Sequence, residues 1–362
     1  MLKHKKIHIL ILLIIIIPAF LCLIWINKDN KESHNDSSGG DTRFLEQTFY
    51  IFDTVVNIKV YGDSVHQTNM DDIQHMLERM DLEFSRTKEG GEVFKINEAA
   101  GKEAITVSDE TLDIVKQSIE YAKAMHGAFD PTIGPLIDLW NIGNGGDQVP
   151  ELDEINKAKS LINYEDMIID EAAKTVQLAK EGMVLDLGGI GKGYAADRIA
   201  DYLKEQNLDS AMINLGGSSI IALGTKPKGN MWTIGLQDPD QSRGTQLGII
   251  KIANEIIDSS GVYERFFIQD GVKYHHILDP NSGYPSQNGL KSITILSPNA
   301  TDADALSTGV FLMGLEEGMK YLESLSGDVE GFFVTEDNLI YATSGIKSRM
   351  QLTDNSYKFS KF

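Results

Sequence analysis

An apolar run near the N-terminus limits how this chain can fold more than any other feature. Three lysines, Lys3, Lys5 and Lys6, precede an uncharged apolar run of 18 residues from Ile9 to Ile26, interrupted only by Pro18. That length is close to the about 20 residues that a helix needs to cross a bilayer. Basic residues before such a run hold the N-terminus in the cytoplasm, so we expect the rest of the chain to be exported.

A cleaved signal peptide is the competing interpretation of this segment. The run is long for a signal peptide, and no small-x-small cleavage site follows it, which favours an uncleaved anchor over residues 1–26. Cys22 lies within the run, but Phe20 and Leu21 stand where a lipid-attachment box has small residues. Beyond the run there is no cysteine, so the exported part can form no internal disulfide. The predicted location is the extracytoplasmic face of the cell membrane.

The remaining chain divides into a polar segment and a folded body. Residues 27–43 are polar and contain glycine and serine, which is typical of a flexible linker. Residues 44–362 show no repeat of fixed period and no internal linker, so we expect one globular domain there.

Within this body, strand-like runs alternate with helical patterns. Residues 49–61 have strand character, and apolar residues from Ile73 to Phe84 recur at helical spacing. Further helices are expected at 109–125 after the cap Ser108, after Pro150, at 192–205, and from Asp302 and Glu316. Further strands are expected at 167–169, 175–179, 183–187, 211–214, 232–236, 249–253, 266–269 and 292–296. Runs of strands with helices between them predict a mixed α+β fold rather than a doubly wound parallel sheet.

The charge balance excludes one class of partner. The chain carries 53 acidic and 33 basic residues, a formal net charge of -20. Such a surface repels phosphate backbones, so we expect no nucleic-acid partner. An anionic ligand would need local cations or a bound metal.

A glycine-rich segment, VLDLGGIGKGYAAD at Val184–Asp197, leads into a predicted helix. Glycines let a ligand approach the backbone closely, and a helix N-terminus with Lys192 favours a phosphate. The spacing is neither that of a Walker loop nor that of the dinucleotide fingerprint. A tight structural turn explains the same letters, so both interpretations stay open.

An acidic helix start, DADALSTG at Asp302–Gly309, offers hard oxygen ligands. Asp304 and Thr308 are four residues apart and share a helix face, where a carboxylate and a hydroxyl suit Mg²⁺. The alternative is that Asp302 or Asp304 merely caps the helix or interacts with its dipole.

Two further segments have a mixture of polar and aromatic residues. In YHHILDPNSGYP, His275 and His276 alternate across a strand, so at most one faces a given site. His276 is the better candidate because it stands next to a turn, although a histidine in a strand is more often structural. The other segment, GAFDPTIGPLIDLW, is either a rigid aromatic wall beside a ligand or a packed loop.

Taken together and in order, these segments resemble the ApbE family of FAD:protein FMN transferases. The resemblance runs from about Phe49 to about Ala342 and is closest to the cell-surface flavinylating members of Gram-positive bacteria. The segments that carry it are FDT (52–54), FSRTKEGGEVFKIN (84–97), GAFDPTIGPL (127–136), LDLGGIGKGYAAD (185–197), NLGG (214–217), SSGVYERFF (259–267), HHILDPNSG (275–283) and DADALSTGVFLMG (302–314). The implied fold is the single mixed domain, of tunnelling-fold-like type, that this family has.

The resemblance also implies a set of site residues. The metal, Mg²⁺, would be held by Asp304, Thr308 and the carbonyl of Gly189, and the catalytic residues would be His276 and Asp304. Contacts with FAD, which is a substrate, would fall on Phe52, Thr87, Ala128, Phe129, Asp130, Asp186, Lys192 and Ile277. At Thr87 many members instead carry the aromatic residue that packs on the flavin, and at Gly191 alanine is commoner.

The implied reaction is transfer of FMN from FAD to a threonine of an exported acceptor protein, which would support extracytoplasmic electron transfer. The threonine hydroxyl would attack the FMN-side phosphorus and AMP would leave. His276 would take the hydroxyl proton; alternatively, Asp304 or a nearby carboxylate is the base and His276 positions the phosphate. Hydrolysis of FAD to FMN and AMP is the competing activity, and a non-catalytic FAD-binding surface protein is the alternative from another class.

Overall fold

The computed structural model describes residues 43–325 and 327–362. The predicted anchor at 1–26 and the predicted linker, apart from its last residue, Arg43, lie outside these residues. None of the helices within the described ranges is both long enough and apolar enough to cross a bilayer.

The strands of the described residues are short and belong to four sheets. In chain order they are β1 (Phe44–Ile51), β2 (Thr54–Tyr61), β3 (Ile105–Thr106), β4 (Met167–Asp170), β5 (Thr175–Leu178), β6 (Ala211–Leu215), β7 (Ser219–Leu223), β8 (Trp232–Gln237), β9 (Gln246–Ile252), β10 (Glu255–Gly261), β11 (Phe266–Gln269), β12 (Val272–His275), β13 (Leu290–Ser297), β14 (Glu330–Thr335), β15 (Leu339–Ala342), β16 (Met350–Leu352) and β17 (Lys358–Phe359).

Helices occupy the connections between these strands. They are α1 (Gln67–Glu83), α2 (Glu92–Glu98), α3 (Asp109–Ala124), α4 (Gly134–Trp140), α5 (Leu152–Lys159), α6 (Gly191–Glu205) and α7 (Ala300–Ser324), with 3₁₀ turns at Tyr164–Asp166, Pro227–Gly229 and Ile346–Ser348.

The largest sheet in the described residues has nine strands in the order β1-β2-β6-β7-β10-β13-β14-β15-β17. Its neighbouring strands pair antiparallel except β15 and β17, which are parallel. The smaller sheets are β3-β5-β4, β16-β9-β8 and the hairpin β11-β12. This pairing confirms the mixed α and β architecture and excludes a doubly wound parallel sheet.

Both faces of the large sheet are covered by apolar side chains. Ile256 and Ile295 belong to the main core, which also contains the buried side chains of the helices, whereas Ile257 and Leu296 pack with Trp232 of the β16-β9-β8 sheet. Burying one such side chain stabilises the fold by about 1.5 to 3 kcal/mol. The central strands β10 and β13 are therefore fixed from two sides, and they form a rigid base for the helix that packs on them.

Most predicted elements are present, and three differ. Residues 49–61 are not one strand but a hairpin, with a turn at Phe52 and Asp53 that has φ values of 53° and 54°. Residues 183–187 form no strand, since only an isolated bridge joins Val184 to Ile133. The two helices expected from Asp302 and Glu316 are one helix, α7, with a break at Gly314, where φ is 77°.

The starts of α6 and α7 are tied together by Asp197. Its carboxylate accepts hydrogen bonds from the backbone N–H groups of Ala300 (2.9 Å) and Thr301 (2.8 Å) and from the Thr301 hydroxyl (2.6 Å). Asp197 thus caps α7 from outside that helix, in addition to the local cap Asn299, whose side chain accepts from Asp302 N. These bonds place the first turns of the two helices side by side.

We predict that Asp197→Ala lowers the free energy of unfolding by about 2 to 3 kcal/mol, because buried N–H groups at the start of α7 lose a charged acceptor. Denaturation in urea measures the change. Asp201→Ala is the matched control, since Asp201 is on the same helix and pairs with Arg198 of that helix; we expect a change below about 0.5 kcal/mol. Equal losses in both variants would contradict the capping role.

Candidate active site

The glycine loop enters α6 and presents Lys192. The loop closes on itself through a 2.8 Å hydrogen bond from Gly191 N to Leu187 O, after which the helix begins. Lys192 Nζ lies 3.4 Å from the carbonyl oxygen of Gly188 and 3.3 Å from Asp304 Oδ1. The glycine turn and the acidic helix start, which are far apart in the sequence, therefore meet in space.

Asp304 is almost completely buried at this junction, with 3% of its surface exposed. Oδ2 accepts a 2.9 Å hydrogen bond from Gly193 N, and Oδ1 faces Lys192. A Cβ added at Gly193 would lie 2.8 Å from Asp304 Cβ and 2.2 Å from the carbonyl oxygen of Ala300, so a side chain at 193 would force the two helices apart.

Burial and the neighbouring carboxylate charges act in opposite directions on the pKa of Lys192. Burial lowers the pKa of Lys192, but the charges of Asp304 and Asp258 outweigh burial and leave it raised. The side chain keeps 24% of its surface exposed. Lys192 is thus a protonated cation at a helix N-terminus, which is the arrangement that binds a phosphate.

The predicted metal ligands lie together. A Cβ added at Gly189 would be 3.4 Å from Thr308 Oγ1 and 3.1 Å from the Phe129 ring, so the loop lies directly against α7 at Thr308. The ligand set of Asp304, Thr308 and the Gly189 carbonyl consists of hard oxygen donors, which fits Mg²⁺. Within the described residues there is no group of three or more His, Cys, Asp or Glu side chains that could hold a metal.

Asp302 points away from this cluster despite its position two residues before Asp304. Its carboxylate accepts a hydrogen bond from the Tyr121 hydroxyl. Burial and this hydrogen bond raise the pKa of Tyr121. Of the two acids in the segment, Asp302 is therefore engaged at the helix start and Asp304 faces Lys192.

The two adjacent histidines have different environments. His275, the last residue of β12, is buried; its Nε2 donates to the Ser286 carbonyl at 2.6 Å and its Nδ1 accepts from Ile277 N at 3.3 Å. His276 is half-buried, and its enclosed Nδ1 has no hydrogen-bond partner within the described residues. Burial, followed by the nearby charge of Arg265, lowers the pKa of His276 to about 3, so its imidazole is neutral at neutral pH.

Two residues of the site were given no role from the sequence. Arg265 is exposed, and its charge acts on both His276 and Lys192, which adds a second cation beside Lys192. Arg86 lies in the FSRT segment and pairs through Nε with Asp186 Oδ2 at 2.8 Å, and also with Asp138. The only sequence signal for these two residues was that each arginine lies within one of the family-like segments, FSRTKEGGEVFKIN and SSGVYERFF.

Asp258 on β10 is a third residue that was missed. It is 3% exposed, and its carboxylate accepts hydrogen bonds from the hydroxyls of Ser219, its cross-strand partner, and Ser307, at 2.8 Å for Ser307. Burial and the charge of Asp304 raise the pKa of Asp258 to about 6, against the opposing effect of Lys192. No motif letter singled it out, because a buried acid in a strand becomes visible only when its partners are placed.

The other predicted FAD-binding positions lie in several loops. Asp186 accepts a 2.7 Å hydrogen bond from Gly188 N and so shapes the glycine loop. Asp130 accepts hydrogen bonds from Thr132 N and Oγ1 in its own loop and from Tyr164 N in the Tyr164–Asp166 turn, at 2.6 to 3.1 Å. Burial raises the pKa of Asp130. The ring of Phe129, next to the half-buried Ala128, is buried beneath Gly189.

Three predicted positions have no hydrogen bond or ion pair to the Lys192–Asp304 pair within the described residues. Phe52 is half-buried in the β1–β2 turn, and Thr87 is exposed with its hydroxyl 3.3 Å from that of Ser85. Ile277 is buried, and its carbonyl accepts from Ser286 N at 3.0 Å. Their contacts with FAD stay predictions.

Comparison with known proteins gives a consistent result. The model of the ApbE family matches residues 52–333. A curated FAD:protein FMN transferase of Klebsiella pneumoniae is 39% identical over 267 residues, which cover 74% of this chain and 82% of the relative. A second one, from Treponema pallidum, is 32% identical over 338 residues, covering 88% and 92% of the two chains.

Solved structures agree with the sequence relatives. The ApbE protein of Thermotoga maritima superposes with a TM-score of 0.78 at 32% identity, covering 85% of this chain and all of that one (100%). The flavin transferase ApbE of Vibrio cholerae superposes with a TM-score of 0.76 at 30% identity and the same coverage.

The unusual environment of His276 predicts how stability depends on pH. Its pKa is about 3 in the folded chain and 6.5 as a free side chain, so below pH 6.5 the unfolded chain takes up a proton that the folded chain does not. Folded stability therefore falls as the pH drops. We expect His276→Gln to reduce the loss of stability between about pH 7 and about pH 5 by up to about 2 kcal/mol.

Urea denaturation at the two pH values measures this difference. The control is His75→Gln, because His75 is exposed on α1 and should leave the pH dependence unchanged. If the His276 variant shows the same pH dependence as the unchanged chain, His276 is not held neutral by its surroundings.

Proposed function

Because this chain belongs to the ApbE family and is an FAD:protein FMN transferase, we propose that it transfers FMN from FAD to a threonine hydroxyl of an exported acceptor protein, with Mg²⁺ as its metal and AMP as the second product. The observation that carries the proposal is the junction of α6 and α7. There Lys192 Nζ lies 3.3 Å from Asp304 Oδ1, with Gly189 against Thr308. A phosphate-binding cation and hard oxygen donors thus share one place, as a metal-bound diphosphate requires.

The proposed reaction is a displacement at the FMN-side phosphorus. The bond between the threonine oxygen and that phosphorus forms, and the bond from phosphorus to the bridging oxygen breaks, so that AMP leaves with the bridging oxygen. The hydroxyl proton passes to the imidazole of His276. No oxidation or reduction takes place, and no further co-reactant is needed.

The cations of the site stabilise the charge that this displacement creates. Lys192 and Arg265 interact electrostatically with each other and with His276, so an anion bound between them is attracted by both. Charge accumulates on the leaving phosphate as its bond breaks, and fixed positive groups stabilise that charge without reorganising. These residues bind the diphosphate and lower the barrier to its cleavage.

His276 has the protonation state that a base needs. It is neutral because burial and the charge of Arg265 lower its pKa to about 3. A bound diphosphate offsets the arginine and lysine charges and so shifts the pKa of His276 upward, towards the value at which a base works best. Protonation of the imidazole is thus favoured when substrate is present.

The metal would be held by Asp304, Thr308 and the carbonyl of Gly189. When bound there, Mg²⁺ supplies Lewis-acid stabilisation of the diphosphate oxygens. Asp304 is buried and already accepts the N–H of Gly193, which fixes its orientation before any ligand arrives.

For location, we propose an exported body held at the cell membrane by residues 9–26. Three lysines before an apolar run of 18 residues, and the lack of cysteine after Cys22, support this proposal. The acceptor is then another exported protein, since we identify no flavin-accepting threonine motif in this chain.

Transfer and hydrolysis are distinguished by one incubation of the protein with FAD, Mg²⁺ and a threonine-containing acceptor. We expect mass spectrometry to show FMN added to the acceptor, with an equal amount of AMP released. An acceptor whose threonine is replaced by alanine is the control and should stay unmodified. Free FMN with an unmodified acceptor would instead establish hydrolysis as the activity.

Asp304→Asn tests the metal-binding carboxylate while keeping its shape. We expect FMN transfer to fall by at least about 10²-fold, because the charge that holds the metal is lost. The matched control is Asp302→Asn, two residues away and bonded to Tyr121 instead, which should retain transfer within about threefold. Near-normal transfer by Asp304→Asn would contradict the ligand assignment.

A further inference from the structure

Asp258 is a buried carboxylate next to the proposed site that the reaction does not use. It stands in the middle of β10, opposite Ser219 of β7 in the strand register. Both of its oxygens are engaged by hydroxyls, one from Ser219 and one from Ser307. Asp258 thus contacts the proposed site through Ser307, which lies on the same turn of the helix as Asp304.

The first neighbour of Asp258 is the metal-facing turn of α7. Ser307 Oγ lies 2.8 Å from Asp258 Oδ1, 3.0 Å from the carbonyl oxygen of Asp304, and 2.9 Å from Ser260 Oγ. Ser307 is thus the link between the central strand and the turn that bears Asp304 and Thr308. Since β10 is packed on both faces, this link fixes the turn against a rigid base.

The second neighbour is the Lys192–Asp304 pair. The charge of Asp258 acts on Lys192, and the charges of Lys192 and Asp304 both act on Asp258. One ammonium therefore stands among two carboxylates. With Asp304 alone, a divalent cation would have to displace Lys192 from its only carboxylate partner. Asp258 adds a second carboxylate that can balance Lys192 when a cation binds Asp304, and it also opposes the charge of the exposed Arg265, which acts on Lys192 as well.

We propose that Asp258 is a positioning residue of the cation site: it supplies the negative charge that balances Lys192, so that Asp304 can bind a divalent cation, and it holds the Asp304–Thr308 turn through Ser307. This inference rests on the proposed metal site, and it adds a determinant of metal affinity that is not itself a ligand. It accounts for a buried carboxylate placed beside another one, an arrangement that costs stability in the absence of a cation.

The test measures the binding of Mn²⁺ alone at about pH 8, without FAD or acceptor. Electron paramagnetic resonance of the free ion gives the unbound Mn²⁺ concentration. Asp258→Asn keeps the shape and can still hydrogen-bond to both serines, since an amide both accepts and donates. We expect it to weaken Mn²⁺ binding by about tenfold because one negative charge is lost. Ser219→Ala is the matched control, removing one hydrogen bond and no charge, and should change the affinity by less than about threefold.

A second arm works even if the Asp258 variant does not fold. Lys192→Gln leaves both carboxylates without their cation, so we expect it to bind Mn²⁺ more tightly than the unchanged chain, by at least about threefold. Combining it with Asp258→Asn should return the affinity towards that of the unchanged chain. If Asp258 were purely structural, Asp258→Asn would instead lower the unfolding midpoint and the turnover at saturating Mg²⁺, and it would leave the Mn²⁺ affinity of Lys192→Gln unchanged.

Unchanged Mn²⁺ affinity in Asp258→Asn overturns the proposal, and so does equal weakening in Asp258→Asn and Ser219→Ala. If Asp258→Asn does not fold, weaker Mn²⁺ binding by Lys192→Gln overturns it. These results are separate from those on the proposed function. A chain that binds Mn²⁺ as described but modifies no acceptor would retain the role of Asp258 and refute the transfer of FMN. If the unchanged chain transfers FMN and the Asp258 variant has normal Mn²⁺ affinity, the proposed function stands and the role of Asp258 is refuted.

Discussion

The contact between Gly193 N and Asp304 Oδ2, 2.9 Å long, is the interaction on which the site depends. A buried carboxylate is costly unless it is paired and hydrogen-bonded, and here the first turn of α6 supplies both an N–H group and the ammonium of Lys192. In return, the carboxylate holds the starts of two helices together. The glycine at 193 follows from this constraint, because any side chain there would occupy the space between the helices.

This close approach also explains how an acidic chain can bind an anionic substrate. With a net charge of -20, the surface as a whole repels a dinucleotide. In the proposed site this repulsion is opposed locally by a helix N-terminus, Lys192 and Arg265, whose charges act over short distances. The proposed binding of FAD therefore rests on these few local cations rather than on the overall field.

What the sequence could predict was local. The cap Ser108, whose side chain accepts from Thr111 N, and the start of α6 at Gly191 both follow from short-range patterns, and they agree with the structure. The turn at Phe52 and Asp53 was missed because neither residue is a glycine or asparagine, the usual residues at positive φ in such a turn. Asp258 was missed because its partner Ser219 is 39 residues away, and strand register over that distance cannot be derived from composition.

The adjacent histidines show how the fold assigns different tasks to identical residues. His275 ends β12 and uses both ring nitrogens on the chain, at Ser286 O and Ile277 N. Those bonds fix the backbone on either side of His276, whose own N–H donates to Arg265 O at 3.1 Å. The enclosed Nδ1 of His276 has no hydrogen-bond partner among the described residues. In the proposed reaction this nitrogen can therefore take a proton without breaking a hydrogen bond of the fold.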